Sequence, residues 1–411
     1  MNILFLNAYF QPENIAFSPL ENDLINGFIS AGHEITVICP VPTRGISKEI
    51  AEKYKTIKRE ELYDGKVHVR RFWTPQEGRN PIIRALRYFW CNFREYQIGA
   101  KQKHVDIVFA GSTPPTQGFL LALLKRRLKK PIVYGLQDIF PDSLVTAGMT
   151  KRDSLLWKVG RWVEDKGYAG ADRIITISDD FLRNIMEKGV PAEKVKVIPN
   201  WINTESVYPV PREENILFDR YGLDRKDYYI CYSGNLGHSQ NLPLLVETAK
   251  KLQNEMPEVK FILFGEGAEK ETLQTMVHTE QLSNMVILPF QPYEEISHVF
   301  SLGDVGLIIS KPGIGNSSVP SKTWSIMAAE RPVLASFDKE SQLANLIDRL
   351  QIGVTAQAGD VDALIEAIRF LYKNRDKANA MGKGGRVYVS DVIAKDKCVE
   401  QYVQLMESLV K

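Results

Sequence analysis

The sequence predicts an α/β protein with two Rossmann-like, doubly wound parallel-sheet domains that face a cleft. Short apolar segments of strand length alternate with amphipathic helical segments, an order typical of parallel sheets. An irregular segment with two prolines interrupts the alternation at about 205–227, and we interpret it as the inter-domain linker and the entry to the second sheet. A new series begins at Tyr228. The 411 residues suffice for two or three domains. We therefore predict domains at 1–204 and 205–411, with a last helix, about 394–411, that is able to pack back on the first domain.

The composition is typical of a globular cytoplasmic protein. Hydrophobic residues make up 44% and charged residues 25% of the chain. The longest apolar run is shorter than the ~18 residues that a membrane span needs. The segment Met1–Asn7 lacks a basic region and a cleavage site, so it predicts a strand rather than a signal peptide. Four widely spaced cysteines predict reduced, structural thiols without metal spacing, namely Cys39, Cys91, Cys231 and Cys398.

Charge is distributed unevenly along the chain. Residues 1–204 contain 30 Lys and Arg against 22 Asp and Glu, a balance of +8. Residues 205–411 contain 22 against 28, a balance of −6. A basic half is expected to meet an anionic partner, such as a membrane surface or a phosphate-bearing acceptor. Compositional drift is the alternative interpretation.

The first half contains seven apolar segments that predict strands. They are 2–6, 33–39, 67–72, 105–110, 131–134, 172–177 and 195–199. Helical patterns separate most of these strands and lie at about 20–32, 82–101, 116–130, 151–169 and 178–189. The segment 40–66 is polar and irregular, and it predicts a loop with room for a short helix.

The helix at 82–101 is one of the clearest amphipathic segments. Its apolar face comprises Ile82, Leu86, Phe89 and Phe93, whereas Arg84, Arg87 and Arg94 line the opposite face. Such a helix can lie on an anionic membrane surface. More often its apolar face packs on a sheet, and we favour packing. The two interpretations are compatible if the basic face is exposed.

The second half repeats the alternation. Its predicted strands are 228–233, 259–264, 286–289, 304–309 and 333–335, and helices close the chain from about 360 to 411. A glycine-rich turn, Gly234–Gly237, follows the first of these strands, and Gly265–Gly267 follows the second. A Gly-x-Gly turn by itself is weak support for a nucleotide site.

The segment 310–336 is the main candidate for a ligand site in the second half. A loop of small residues leads to Pro320 in a predicted first helical turn, followed by Ser321 and Lys322. A helix N-terminus attracts anions, and Lys322 adds a full positive charge. We predict a phosphate or ribose site here, at the carboxyl end of the sheet. A capped helix in an ordinary βαβ unit is the alternative.

A second candidate group follows the predicted strand at 131–134. Gln137 and Asp138 lie in the loop at its carboxyl end and are expected to point into the cleft. A cap on the following turn is the alternative role for Asp138.

Several segments together resemble the family 4 retaining glycosyltransferases, which have the GT-B fold. In the first domain, His33–Val37 and Ser178–Pro209 carry the resemblance. In the second domain, four segments carry it: Tyr232–Gly237, Phe264–Gly267, Leu302–Val305 and Ile326–Val333. The resemblance spans almost the whole chain. It is greatest to bacterial enzymes that extend capsule, colanic-acid or O-antigen repeat units, including fucosamine-type transferases.

This resemblance implies transfer of a sugar, an N-acetylated amino or deoxy sugar, from a UDP-sugar with retention of anomeric configuration. The acceptor is expected to be a lipid-diphosphate-linked saccharide bound by the N-terminal domain, while the C-terminal domain binds the nucleotide-sugar. The resemblance implies no cofactor and no metal. Backbone amides, a helix dipole and basic side chains would stabilise the leaving diphosphate. We expect a cytoplasmic enzyme, peripheral on the inner face of the cytoplasmic membrane, without a nucleic-acid partner.

The sequence departs from the family pattern at several positions. The two glutamates that the family commonly has in the central segment are replaced by Ser317 and Ser325. The usual Arg and Lys after the first strand of the second domain are missing, and Asn235 and His238 lie in the corresponding loop. We predict that Ser321 and Lys322 substitute for the missing groups. The family's N-terminal glycine pair is replaced by a segment that begins with Glu13.

The strand-end motifs and the family resemblance together give the candidate site residues. We predict Asp138 and Glu13 as groups that orient the acceptor or assist its deprotonation, and Lys322 as a stabiliser of the leaving group. The predicted nucleotide-binding residues are Gly234, Asn235, Gly237, His238, Gly265, Gly267, Ser317, Ser321, Lys322 and Ser325.

Two other classes of function remain open. The missing acidic pair is compatible with a non-catalytic partner subunit of a heteromeric transferase, which would bind nucleotide weakly when alone. A GT-B nucleotide-sugar epimerase would need convergent acid and base residues and would leave the basic aromatic helix unexplained. A periplasmic sugar-binding protein is disfavoured because we find no signal peptide.

Overall fold

The computed structural model describes residues 1–13, 17–75, 81–146, 150–313 and 319–410. The chain forms two compact units, one comprising Met1–Asn200 with Asp396–Lys411 and the other comprising Trp201–Lys395. The boundary lies shortly before the predicted position at 204. Each unit is an α/β fold built on its own sheet, in agreement with the predicted fold class.

The described part of the first unit contains an eight-stranded sheet in the order β3-β4-β2-β1-β5-β6-β7-β8. Its strands are β1 (Asn2–Leu6), β2 (Glu34–Pro40), β3 (Arg59–Leu62), β4 (Val67–Phe72), β5 (Ile107–Gly111), β6 (Ile132–Leu136), β7 (Arg173–Thr176) and β8 (Val195–Val197). The helices before the second unit are α1 (Ser18–Ser30), α2 (Lys48–Tyr54), α3 (Pro81–Gly99), α4 (Gln117–Leu128), α5 (Asp142–Thr146), α6 (Leu155–Gly170) and α7 (Asp179–Glu187). The central strands are buried apolar runs, as strands covered by helices on both faces should be.

One edge of this sheet departs from the predicted parallel arrangement. The segment 40–66, predicted as a loop, contains α2 and also β3, which pairs antiparallel with β4. A short hairpin turn joins the two strands, with Tyr63, Asp64 and Gly65 at positive φ. An antiparallel neighbour needs only such a turn, whereas a parallel one needs a crossover. The alternation in Arg59–Leu62 is too polar to have predicted this edge strand.

The second unit has a six-stranded sheet across its described residues, in the order β11-β10-β9-β12-β13-β14, with every neighbour parallel. The strands are β9 (Tyr228–Ser233), β10 (Val259–Phe264), β11 (Met285–Leu288), β12 (Val305–Ile309), β13 (Val333–Phe337) and β14 (Gly353–Gln357). The helices are α8 (Ile216–Tyr221), α9 (Pro243–Glu255), α10 (Lys270–Thr279), α11 (Ile296–Leu302), α12 (Lys322–Ala328), α13 (Gln342–Leu350), α14 (Val361–Lys373) and α15 (Arg375–Asp391). The sequence did not predict β14, because this edge strand lacks an apolar run.

The segment 205–227, predicted as a linker, belongs to the core of the second unit. Leu217 and Phe218 of α8 are fully buried and pack with Tyr229 and Phe264. Ser297 and Ser301 of α11 hold the preceding chain by accepting hydrogen bonds from the N–H groups of Tyr208 and Val210. The irregular pattern therefore reflects short helices and turns within a domain.

The last helix, α16 (Lys395–Ser408), packs in the first unit almost along its whole length. Tyr402 is buried and contacts Phe109 of β5, with ring centroids 6.1 Å apart. Val399 lies so close to α1 that a β-carbon on Gly27 would come within 2.1 Å of it. The chain therefore returns to its first unit after completing the second.

The orientation of α3 differs from the packing that we favoured. Leu86 and Phe89 are 61% and 72% exposed, whereas Arg87 is 1% exposed. Ile83 and Phe93 are exposed as well, and the side chain of Ile82 lies outside the described residues. Arg87 is buried because its guanidinium donates to the carbonyl of Pro75 at 2.7 Å and lies 5.8 Å from the ring centroid of Tyr9. The apolar stripe of α3 therefore faces away from the sheet.

Candidate functional site

The order of strands locates the predicted nucleotide site at a topological switch point. From β9 the chain proceeds to β10 and β11 on one side of the sheet and then returns to β12 on the other side. In open parallel sheets, ligands bind at the carboxyl ends of the strands beside such a reversal. The loop Gly234–Gly237 follows β9, and α12 with Lys322 follows β12. The two predicted parts of the site therefore belong to the two strands that flank the reversal.

The two glycine-rich turns pack backbone against backbone. The N–H of Gly234 donates to the carbonyl of Phe264 at 2.9 Å, and the N–H of Leu236 donates to that of Glu266 at 2.8 Å. A β-carbon on Gly265 would lie 2.2 Å from the carbonyl oxygen of Gly234, and one on Gly267 would lie 2.3 Å from that of Leu236. The glycines are thus required by the contact between the turns, which together form one backbone surface.

Lys322 extends from the first residue of α12 to this surface. Its Nζ lies 4.0 Å from the ring centroid of Tyr232, and a β-carbon on Gly234 would come within 2.4 Å of the same Nζ. Burial lowers the pKa of Lys322 to about 8, and no acidic side chain in the described ranges offsets this effect. A half-buried ammonium group without a carboxylate partner is suited to bind an anion such as a phosphate.

Tyr232, a residue that the sequence did not point to, contacts both Lys322 and the turn after β9. Its ring faces Lys322, and its hydroxyl donates to the carbonyl of Asn235 at 2.7 Å. The residue is fully buried, so it holds the turn after β9 in place. An aromatic residue in a predicted buried strand is ordinary core composition, and the sequence carries no signal that separates Tyr232 from the other core residues.

Asn235 and His238 are exposed beside the glycine turns. His238 makes a close Nδ1 contact with a carboxylate oxygen of Glu269, a residue that the sequence did not point to. The N–H of Glu269 in turn donates to the carbonyl of Leu236 at 2.9 Å. Asn235 and His238 therefore present polar groups at the rim of the surface, and Glu269 fixes the orientation of the imidazole.

The three serines predicted near α12 have different positions. Ser321 directly precedes the helix, is exposed and makes no capping hydrogen bond with its hydroxyl. Ser325 lies four residues further on, so the two share one side of the helix. Ser317 lies outside the described residues. Pro320 precedes the helix rather than forming its first turn, and its carbonyl accepts from the N–H of Thr323 at 2.9 Å.

In the first unit, Asp138 is held at the carboxyl end of β6. The hydroxyl of Ser112 accepts hydrogen bonds from the N–H groups of Gln137 at 3.1 Å and Asp138 at 3.3 Å, which ties the ends of β5 and β6 together. The carboxyl group accepts hydrogen bonds from the hydroxyl of Ser143 and the N–H of Ile139. Asp138 is exposed, yet the protein on its other sides raises the pKa of the carboxyl by desolvation. The contact with Ser143 links Asp138 to α5, and the other side of Asp138 is open to solvent.

Glu13 has a different environment from that of a typical catalytic base. The residue is 3% exposed, and its carboxylate accepts from the N–H groups of Thr43 at 2.7 Å, Arg44 at 2.9 Å and Phe10 at 3.3 Å. Desolvation raises the pKa of Glu13 more than these bonds lower it. Both oxygens are engaged with backbone donors, so the geometry favours a role in joining the loops after β1 and β2. The catalytic role of Glu13 stays a prediction.

The loops of the first unit also gather basic groups that sequence reasoning did not assign to a site. The guanidinium carbons of Arg44 and Arg87 each lie 5.8 Å from the ring centroid of Tyr9. These residues come from the loop after β2, from α3 and from the loop after β1. Arg87 could not be distinguished from Arg84 or Arg94 in the sequence, because all three lie on the basic side of the same helical pattern.

The described residues contain neither a metal-binding cluster nor a membrane-spanning helix. Groups of three or more His, Cys, Asp or Glu side chains placed to hold a metal are absent from these ranges. The expectation that no metal is needed stays a prediction. Within the same ranges, no helix is both long enough and apolar enough to traverse a bilayer.

Comparison with known proteins gives matches over both halves. The family model described as Glycosyltransferase Family 4 matches residues 22–206, and that described as Glycosyl transferases group 1 matches residues 213–388. A Pseudomonas aeruginosa protein named as glycosyltransferase WbjE is 27% identical over 72% of this chain and 74% of its own length. An Escherichia coli K12 protein named as the colanic acid biosynthesis glycosyl transferase WcaI is 24% identical over 98% of this chain and 99% of its own. The crystal structure of Anabaena Alr3699/HepE in complex with UDP has a TM-score of 0.73 with 17% identity and covers 100% of both chains.

Proposed function

Because this chain belongs to the family 4/group 1 glycosyltransferases of GT-B fold, we propose that it transfers a sugar from a UDP-sugar to a lipid-diphosphate-linked saccharide. The reaction would serve the synthesis of a bacterial surface polysaccharide, which is supported by the name of the relative WcaI. UDP as the nucleotide is supported by the UDP complex of the structural neighbour HepE. The transferred group would be an N-acetylated amino or deoxy sugar, as the fucosamine-type resemblance implies.

The observation that carries this proposal is the position of Lys322. Its ammonium group lies beside Gly234 at the switch point and has no carboxylate partner in the described part of the chain. A nucleoside diphosphate bound over the two glycine turns would place its phosphates against this cation. In the reaction, the bond between the anomeric carbon and the diphosphate oxygen breaks, and negative charge grows on the diphosphate. Lys322 would stabilise that charge, as preorganised cations do at leaving groups.

The acceptor would be bound by the first unit. We propose that Asp138 orients the acceptor hydroxyl and assists the removal of its proton, because its carboxyl group is fixed, exposed and of raised pKa. The acceptor oxygen would form its bond to the anomeric carbon on the face that the diphosphate leaves, so the configuration is retained. The proton would pass to Asp138 or to the departing diphosphate.

A nucleotide panel tests the donor half of the proposal. The thermal unfolding midpoint of the purified protein is measured with UDP, GDP and ADP and with their common sugar forms. A ligand that binds only the folded protein stabilises it by about 2.7 kcal/mol at a concentration of about 100 Kd. We expect a rise with uridine compounds alone. If no nucleotide raises the midpoint, the proposal fails and the non-catalytic partner subunit is favoured.

Asp138→Asn tests the acceptor half. We expect turnover to fall by about a hundredfold or more, the usual effect of losing a general base, while the nucleotide-induced rise in the unfolding midpoint is retained. Turnover equal to that of the wild type would remove Asp138 from the mechanism.

A further inference from the structure

His238 and Glu269 form a side-chain pair beside the candidate nucleotide site. His238 directly follows the turn Gly234–Gly237, and its Nδ1 contacts a carboxylate oxygen of Glu269. Glu269 directly precedes α10, the helix that follows the turn Gly265–Gly267. The pair therefore connects the segments that leave the two glycine turns, at the same edge of the sheet as Lys322.

The pair presents its basic member to solvent and covers its acidic member. The side chain of His238 is 73% exposed, whereas that of Glu269 is 15% exposed. Glu266, an acid of the neighbouring turn, is exposed but forms an ion pair with Lys270 at 2.6 Å. A ligand that approaches this edge of the sheet therefore meets the imidazole of the pair rather than its carboxylate.

Backbone hydrogen bonds hold the segment around His238 from both sides of the switch point. On one side, the N–H of Lys311, which follows β12, donates to the carbonyl of Ser239 at 2.9 Å. On the other side, the N–H of Glu269 donates to the carbonyl of Leu236 at 2.9 Å. The position of the imidazole is therefore fixed before a ligand binds, and such preorganisation lowers the cost of binding.

The side chain of Asn235 in the same loop is turned toward the backbone. A β-carbon on Gly237 would lie 2.6 Å from its Nδ2, and one on Gly267 would lie 2.8 Å from its Oδ1. The amide group of Asn235 therefore lies against both glycine turns. Among residues 234–241, His238 alone has a side chain that can carry a positive charge, and this side chain projects into solvent.

The contact with Glu269 determines which nitrogen of His238 is available to a ligand. A carboxylate only accepts hydrogen bonds, so Nδ1, the nitrogen that faces it, carries a hydrogen. The hydrogen bond at one ring nitrogen sets the role of the other nitrogen. In the protonated ring, Nε2 also carries a hydrogen and can donate it to a phosphate oxygen. Glu269 therefore orients the imidazole so that Nε2 is the nitrogen left for a ligand.

We infer that His238, oriented by Glu269, is a second cation for the diphosphate of a bound nucleotide. The Lys322 ammonium lies beside Gly234 at the start of the glycine turn, and His238 follows the end of that turn. A nucleoside diphosphate has two linked phosphates, so cations at both ends of one turn suit it better than a single cation. Glu269 is then a positioning residue, which acts through His238 and does not touch the ligand. The inference rests on the proposed function, because it assumes that the nucleotide binds over the glycine turns.

Calorimetric titration of the whole protein with UDP tests the contribution of the pair. The titrations are made at about pH 6, because histidines change their charge between about pH 5 and pH 8. We expect His238→Ala to weaken UDP binding by about tenfold, the size expected for a hydrogen bond between charged groups. Glu269→Ala should weaken it by about threefold to tenfold, and Glu269→Gln by less, because the amide oxygen still accepts from Nδ1. The matched controls are His278→Ala and Glu280→Ala, which change exposed residues at the far end of α10 and should bind UDP like the wild type.

A double variant and the tautomer of His238 separate a positioning role of Glu269 from a purely structural one. In the His238→Ala background, Glu269→Ala should change the UDP affinity by less than about twofold, because a positioning residue acts only through its partner. Nitrogen-15 NMR of the neutral ring, above about pH 8, should show the hydrogen on Nδ1 in the wild type and loss of this preference in Glu269→Ala. The His238→Ala spectrum assigns the signal among the six histidines. The same tautomer in the wild type and in Glu269→Ala would overturn the positioning role.

Unfolding midpoints and the affinity of the wild type distinguish the remaining outcomes. An exposed ion pair contributes little to stability, so the variants are expected to keep the wild-type midpoint. If Glu269→Ala lowers the midpoint and leaves the UDP affinity unchanged, the pair only joins the two turns and the inference is overturned. If the wild type and His238→Ala bind UDP equally, this inference fails alone and the proposed donor is retained. If the wild type binds neither UDP nor another nucleoside diphosphate, the proposed function and this inference fail together.

Discussion

Lys322 has a local environment that is unusual for a lysine, because burial lowers its pKa to about 8. A half-buried ammonium group that has no carboxylate partner in the described ranges reduces the stability of the fold. The ring of Tyr232 compensates for part of this cost as a cation–π partner. An anionic ligand would supply the remaining compensation. At the residue scale, we propose that this site is a cation held ready for a phosphate.

Replacing Lys322 by alanine is expected to weaken UDP binding by about tenfold to a hundredfold, because a hydrogen bond to a charged group contributes about 1.5–3 kcal/mol. Titration calorimetry measures the affinity. Lys250→Ala is the control, since Lys250 is an exposed lysine on α9 paired with Glu280 and should leave the affinity unchanged. Equal affinities for wild type and Lys322→Ala would remove the residue from the site.

The affinity for UDP should also depend on pH through Lys322. Its pKa of about 8 in the free protein means that the cation is present at about pH 7 and is mostly lost at about pH 9. Because the proposed diphosphate site uses this cation, affinity should fall about tenfold over this range. Calorimetric titrations across the range should show no such fall for Lys322→Ala. The same slope in both proteins would assign the pH dependence to another group.

At the scale of secondary-structure elements, hydrogen bonds join the loops that follow neighbouring strands. In the second unit, the turns after β9 and β10 are joined by backbone hydrogen bonds, and the contact leaves no room for a β-carbon at Gly265 or Gly267. In the first unit, Ser112 ties the ends of β5 and β6, and Glu13 joins the loops after β1 and β2. Backbone donors and small residues thus fix the loops before any ligand arrives, and this preorganisation lowers the cost of binding.

Gly265→Ala tests the contact between the glycine turns. The added methyl group would meet the carbonyl oxygen of Gly234, so one turn must move. We expect a loss of about 1–3 kcal/mol in the free energy of unfolding, as for other overpacked sites, together with weaker UDP binding. Gly384→Ala is the control, because its nearest neighbour is a side-chain atom of Ile352 at 4.0 Å and alanine favours the helix. Full stability and affinity in Gly265→Ala would contradict the structural role.

Glu13→Ala separates the loop-joining role from catalysis. Removing the carboxylate leaves the N–H groups of Thr43 and Arg44 without their acceptor, and each such loss costs about 1–3 kcal/mol. We expect a clearly lower unfolding midpoint by calorimetry. A variant with the wild-type midpoint but no turnover would restore Glu13 as a catalytic residue.

At the scale of the whole molecule, two units of the same α/β class carry net charges of opposite sign. The basic first unit leaves large apolar side chains of α3 and α6 exposed, and the acidic second unit holds the candidate nucleotide site. The chain crosses from one unit to the other at about residue 200 and returns at about 396. The integrity of the first unit therefore depends on residues at both ends of the sequence.

Tyr402→Ala is expected to destabilise the first unit selectively. Tyr402 is buried against Phe109, and truncation of such an aromatic core residue costs about 3–5 kcal/mol. Differential scanning calorimetry should show an earlier transition for the first unit, while UDP still stabilises the second. Tyr293→Ala changes an exposed tyrosine of the second unit and should leave the first transition in place. A single shifted transition in Tyr402→Ala would indicate that the units unfold together.

The sequence by itself determined the fold class, most strands and helices and the glycine turns, because these depend on local periodicity and on residues with special backbone preferences. It also indicated Lys322 and Asp138 from their places after predicted strands.

Only the tertiary structure decided which side of an amphipathic helix is buried. Helical periodicity shows that α3 and α6 each have an apolar side, but it does not show whether a sheet or the solvent lies opposite that side. Burial of Arg87 and exposure of Phe89 follow from long-range contacts with Tyr9 and Pro75, and the same is true of the backbone donors that surround Glu13. Contacts between residues distant in the chain are not encoded in any local pattern, so the roles of these residues became visible only in the folded molecule.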